Sequence, residues 1–171
     1  MSTPSLSMYA ASIPVFVRAL TNLKAILAKG AAHAESRKLD ASVLTGDRLY
    51  PDMFPLTRQV QVACDTAKNS AARLAGVEAP KHADDERTFP ELQARLDKVL
   101  VYLGGFEPKQ IDGSEDRAIK MPSPGGEVSF RGQDYLFYFA LPNLFFHAAT
   151  AYNILRHDGV ELGKMDFLGR P

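Results

Sequence analysis

An all-α architecture, one bundle of four main helices in a single domain over residues 1–171, is predicted by three observations. Apolar residues recur every three or four positions over long stretches. Helix start and stop signals bracket those stretches. The chain has 171 residues, enough for one substantial core and short for two.

The first helix follows Thr3-Pro4, a cap with proline at the first helical position. Tyr9, Ile13, Phe16, Leu20, Leu23 and Leu27 line one face, and Pro14 lies inside the pattern, where a kink is expected. Gly30 is the expected end or bend. Leu39 to Asp52 reads as a connection with a short helical turn. A second helix starts near Pro55, buries Leu56, Val60, Ala63, Ala67, Ala71 and Leu74, and stops at Gly76. Its alanines admit a close neighbour.

Thr88 and Glu91 have capping-box spacing, with Pro90 in the first turn. The third helix carries Leu92, Leu96, Val99, Leu100 and Leu103 to Gly104-Gly105. Between Phe106 and Gly132 the helical period vanishes. Ala118–Met121 and Glu127–Phe130 alternate around Pro122 to Gly126, a small β-hairpin with a long turn between the third and fourth helices. The fourth helix runs from Gln133 to His157, closed by Gly159. It is apolar nearly all round from Tyr135 to Phe146, whereas a bundle core uses a stripe of about 100°. A homodimer interface is the expected outlet for the excess.

Composition excludes several function classes. Twenty basic and twenty acidic residues cancel, and no Lys/Arg cluster with interleaved aromatics offers a nucleic-acid footprint. The neutral balance gives little protection against self-association. Tyr135 to Leu155 has the length of a membrane span, but Pro142, Asn143, His147, Thr150 and Asn153 within it argue against one. The start lacks a signal-peptide pattern, so the expected compartment is the cytoplasm. A single cysteine, Cys64, sits in helical periodicity and reads as a small hydrophobe. No glycine-rich phosphate loop, nucleophile elbow or Cys-x-x-Cys is present.

His147 is the first candidate. It shares a helix face with Asn143, Leu144, Ala151 and Ile154, and Pro142 frees the carbonyl of Tyr138 beside it. A ligand pocket of His147, Asn143, Tyr138 and Arg58, with His147 as ligand-contacting group or general base, stands against a core histidine satisfied by its neighbours. His33, near the end of the first helix, reaches His147 if the two helices are antiparallel neighbours; otherwise it is a histidine favoured by a helix C-terminus. A carboxylate, Asp52 or Asp65, would complete a metal set. Arg58, Gln61, Asp65 and Lys68 are spaced as a stripe on the second helix. A solvated, ion-paired face is the expectation, and a stripe reaching a pocket or dimer seam is the alternative. His82, in a charged loop, and His157, at a helix end, read as structural.

Two segments carry a resemblance: Leu49-Tyr50-Pro51-Asp52-Met53-Phe54-Pro55-Leu56-Thr57-Arg58-Gln59-Val60-Gln61, and Leu141-Pro142-Asn143-Leu144-Phe145-Phe146-His147-Ala148-Ala149-Thr150-Ala151-Tyr152 with its tail from Arg156 to Gly169. Together they resemble a bacterial and fungal family of unknown function related to the DinB/YfiT-like metalloenzyme superfamily. The resemblance spans essentially the whole chain and implies a DinB-like four-helix bundle, often dimeric. It also implies a divalent metal, zinc or nickel, held by three histidines, two of them one turn apart on a late helix, and for some members thiol transfer or isomerisation. This chain departs from that pattern. Four residues either side of His147 stand Asn143 and Ala151, and His157 lies about 15 Å along the helix and about 80° round it.

Two functions are therefore compatible with these residues. One is a homodimeric, ligand-binding or non-enzymatic bundle with a degenerate metal site. The other is a divergent metal-dependent enzyme, thiol transferase-like, using His33, His147 and a carboxylate.

Overall fold

Most of the chain is helical, with one small antiparallel hairpin. The computed structural model describes residues 6–170, so the Thr3-Pro4 start lies outside the described residues. Helix α1 (Met8–Arg37) is capped by the Ser7 hydroxyl, which accepts from the Ala10 N–H. It runs through Pro14. Ile13, Phe16, Leu20, Leu23 and Leu27 are buried as expected, and Tyr9 is half-buried. By length and apolar composition α1 could cross a membrane, but its apolar stripe packs on other helices of the same fold.

Gly30 neither ends nor bends α1. The helix continues to Arg37 and stops at Lys38, which adopts φ 55. The physical role of Gly30 is close approach: a Cβ there would lie 3.0 Å from a Leu155 methyl and 3.2 Å from the Phe89 ring. Three helices meet at that missing side chain.

Asp40 caps the short α2 (Ala41–Gly46), the helical turn expected between Leu39 and Asp52. Helix α3 (Leu56–Ala75) follows Pro55 and ends at Gly76 with φ 72. All six predicted stripe residues are fully buried. Its alanines let α3 run antiparallel and close to the last long helix, its main partner. Cys64 is buried in this face, and burial pushes its thiol up to about 12. It is core, not nucleophile.

Helix α4 (Phe89–Gly104) has the predicted capping box: the Thr88 N–H donates to Glu91 at 2.9 Å, and the Glu91 N–H returns to the Thr88 hydroxyl. A four-residue α5 (Pro108–Ile111) follows, which the sequence reading left as irregular chain. Strands β1 (Ala118–Ser123) and β2 (Gly126–Arg131) pair antiparallel with Ser123 opposite Gly126. The turn is therefore two residues, Pro124-Gly125, shorter than the expected Pro122 to Gly126. Pro122 sits within an edge strand, where its missing N–H costs no ladder bond.

The expected fourth helix is three pieces: α6 (Gly132–Tyr135), a π-helical segment (Leu136–Ala140) and α7 (Leu141–His157). Pro142 has no N–H to donate one turn back, and the ladder widens before it, so that the Leu141 N–H bonds the Leu136 carbonyl. Gly159, at φ 88, follows α7 as predicted. A last short helix, α8 (Lys164–Leu168), lies against α1. The four long helices pack cyclically, α1 on α4 and α7, and α3 on the same two.

Candidate functional site

The site is built where α3 and α7 run antiparallel, and two polar rungs join them. His147 is 8% exposed, and its Nδ1 lies 2.7 Å from Gln59 Oε1. Gln59 uses its own amide N–H on the Phe54 carbonyl, 3.0 Å away. That contact fixes Oε1 as the atom facing the imidazole, so Nδ1 is the protonated nitrogen. Burial, and then the positive charge of Arg58, hold His147 below its ordinary 6.5. The ring is neutral near pH 7, and Nε2 carries a lone pair. Among the described residues nothing hydrogen-bonds Nε2, and it is not one of the sealed, unpartnered atoms. The remaining exposure of His147 therefore includes its basic nitrogen.

One turn back, the Asn143 amide donates to the Thr66 hydroxyl at 2.8 Å. Phe146 sets its ring edge-on to the imidazole, centroids 5.1 Å apart. Arg58 lies beside Gln59 on α3 but turns outward: it pairs with Asp84 at 2.6 Å and sits over the Phe54 ring. Tyr138 does not join this group, because its side chain is 78% exposed upstream of the π segment's end. Two of the four expected pocket residues, His147 and Asn143, thus form one face, with Arg58 at its edge.

The structure does not bring His33 to His147. His33 packs beside Gly159, past the end of α7, where its ring lies 4.0 Å from the position a Gly159 Cβ would take. At 1.5 Å rise per residue that is about 15 Å or more along α7 from His147. Among the described residues no three His, Cys, Asp or Glu side chains stand close enough to hold a metal. Asp52 is exposed, and Asp65 is engaged elsewhere.

Asp65 belongs to a cluster that the sequence reading assembled only in part. Arg95, on the buried face of α4 and 1% exposed, donates to Asp65, Asp84 and Glu86, each at 2.9 Å. Lys68 pairs with Asp65 at 3.0 Å and donates to the Pro80 carbonyl, and Gln61 donates to Glu86. The stripe on α3 is therefore not a solvated face. Gln61 and Lys68 are buried because the segment from Val77 to Arg87 folds over them. Burial pushes Asp84 and Glu86 up, but hydrogen bonds from Arg95, and from Arg58 on Asp84, outweigh it and hold both below their ordinary range. His82 is held low by burial and then by Arg95. The signal for Arg95 was legible: it occupies a core position between Leu92, Leu96 and Val99. This cluster is charge-balanced, and it pins the loop over α3.

A model of a domain of unknown function, DUF1993, matches residues 8–168. The chain belongs to this family. The DUF1993 chain is also similar to a solved DinB family member from Shewanella denitrificans, with 45% sequence identity and a TM-score of 0.86. That match covers 95% of this chain and 92% of the other. No curated protein matches it. The DinB relationship expected from the two motifs is thereby established, together with a mostly helical fold, and the two motifs carry Gln59 and His147, the residues of the α3–α7 rung.

Proposed function

We propose that this DinB-like four-helix bundle is a cytoplasmic, homodimeric, ligand-binding protein whose ancestral metal site is degenerate. The observation that carries the reading is His147 itself. It is a neutral imidazole, oriented through Nδ1 by Gln59, with an open Nε2 and no second or third metal ligand beside it. Such a nitrogen accepts a hydrogen bond from a small molecule's N–H or O–H, and the edge of Phe146 supplies an apolar wall. Phe137, Tyr138 and Phe146 leave aromatic side chains on the same helix exposed. A second copy of the chain is the cover proposed for them, since exposed aromatic surface favours association.

One observation favours the metal-dependent, thiol transferase-like alternative. A histidine whose Nδ1–H is held by an acceptor and whose Nε2 is open is oriented as metal-bound histidines are. Metal analysis of tag-free protein by mass spectrometry, with and without added zinc or nickel, separates the two. The proposal expects below about 0.1 metal ion per chain in both cases. A stoichiometric ion lost in His147→Ala would replace it with the enzyme reading. Light scattering should give a dimer that Phe146→Asp converts to monomer. A wild-type monomer at micromolar concentration would refute the dimer.

A further inference from the structure

On the α1 side of α7, away from the His147 rung, α1, α7 and α8 enclose a cleft of about 190 Å³. Its walls are apolar: Val15, Ala19 and Ile26 from α1, Phe145 and Ala148 from α7, and Phe167 from α8. A dry cavity of roughly 150 Å³ accommodates a benzene ring. This cleft therefore holds one ring with a carbon or two beyond it, or a chain of similar bulk.

Arg18 lines the same cleft, and among the described residues no carboxylate pairs with it. Its Nε donates to the Leu168 carbonyl at 3.1 Å, and Nη2 donates to the carbonyls of Gly169 and Arg170. Carbonyls satisfy N–H groups but carry no net charge. Lys29, further along α1, has Asp166 at 2.7 Å, whereas Arg18 makes no ion pair among the described residues. Its Nη1 makes no hydrogen bond there either, leaving donors of the fork available. A guanidinium with no counter-charge among the described residues, beside a small apolar cleft, complements a monocarboxylate with a compact hydrocarbon body.

The cleft also has an entry. Helix α8 closes one end yet buries none of its residues. Polar bonds to α1 hold it: the Arg18 set, Asn22 to the Phe167 carbonyl at 3.0 Å, and the Lys29–Asp166 pair. Gly169, at φ 74, lets the chain pass against Asn22, where a Cβ would sit 2.7 Å from the amide oxygen. The apolar anchor of α8 is Phe167, half-buried and edge-on to Tyr152 at 6.1 Å between ring centroids, so polar bonds make up most of what holds it.

We infer that this cleft is a binding site for a small monocarboxylate with an aromatic or short aliphatic body, its carboxylate on Arg18 and its body between Ala19, Ala148 and Phe145. The site needs no metal and is independent of His147. The test is a titration of the full ¹⁵N-labelled chain with 3-phenylpropanoate and, separately, with its neutral amide, followed by NMR. Saturable shifts are expected at the backbone amides of Ala19, Asn22, Ala148 and Leu168, with the acid about tenfold tighter than the amide. Ala148→Leu, which fills the cleft, should abolish them while the far-UV spectrum stays helical; Ala19→Leu serves if the first variant does not fold. No saturable shift at these amides up to about 10 mM acid overturns the site. An amide as tight as the acid overturns the role of Arg18 and with it the ligand class, and binding that survives both filling variants overturns the location.

Discussion

Arg95 and His147 are both buried polar side chains that reach across to α3, yet their surroundings are built in opposite ways. Around Arg95 every charge has a counterpart: Arg58, Lys68 and Arg95 against Asp65, Asp84 and Glu86, with a loop laid over them. Around His147 there is no net charge, only two neutral rungs, and one ring nitrogen is left open toward solvent. The first arrangement pairs its charges with one another, although Arg95 Nε is left buried without a partner. The second keeps an accessible acceptor, the nitrogen on which the proposed ligand would sit.

The sharpest way to break this comparison is Arg95→Met. Three carboxylates lose a shared partner that is itself 1% exposed; removal of one member of a buried ion network costs about 3–5 kcal/mol, and less here because the carboxylates keep 14–29% exposure. Urea unfolding should show that loss. An effect near zero would mean that the loop over α3 is held by other contacts.

Acid should separate the clusters next. Asp84 and Glu86 sit below their ordinary 3.8 and 4.5. The stability they contribute is complete above that range and is lost as pH falls below it. Wild-type protein should show a melting temperature that drops steeply under pH 4.5, and Arg95→Met should flatten that limb. His147 acts at milder pH and through its neutral form. Its value below 6.5 makes its contribution complete above 6.5 and progressively lost as pH falls through that point. His147→Asn keeps a donor toward Gln59 and removes the titration, so the slope between pH 6.5 and 5 should shrink, the remainder belonging to His82, which is also held low, and, with the opposite sign, to Asp158, which burial and then Asp47 push up to about 6.

The smallest effect expected is Asn143→Ala. It removes one neutral hydrogen bond to Thr66, worth about 0.5–1.5 kcal/mol, and should leave the pH profile unchanged. A change in that profile would mean the two rungs are electrostatically coupled.

Much of this fold was legible in the sequence, because helical stripes and caps are local. The α3 stripe and the Thr88–Glu91 box are read directly from spacing, and both are present. What spacing could not convey was the third dimension of polar residues. Arg58, Gln61, Asp65 and Lys68 look like a solvated face until a loop eleven residues long, Val77 to Arg87, is placed over them. Gly30 looks like a helix stop because the residues that require its missing Cβ, Phe89 and Leu155, lie far off in the chain. Likewise His33 and His147 share no helix, and only the packing shows them serving different ends of α7. The candidate site itself was half visible: His147 and Asn143 stood out by position, whereas Gln59, which orients the ring, carried no mark beyond its place in a motif.

The π segment before Pro142 has a further consequence. A π turn takes more residues per revolution than an α turn, so it works as a phase shifter between two aromatic registers on one continuous rod. Upstream, Tyr135 and Phe139 stack against the hairpin's Phe130; downstream, Phe146 and His147 address α3. If the same residues wound as an ordinary α-helix, one register would turn against the other by up to about 100°, the angle of the one extra residue that the π turn absorbs. The hairpin could then stay docked, or the imidazole could keep facing Gln59, but the rod could no longer do both.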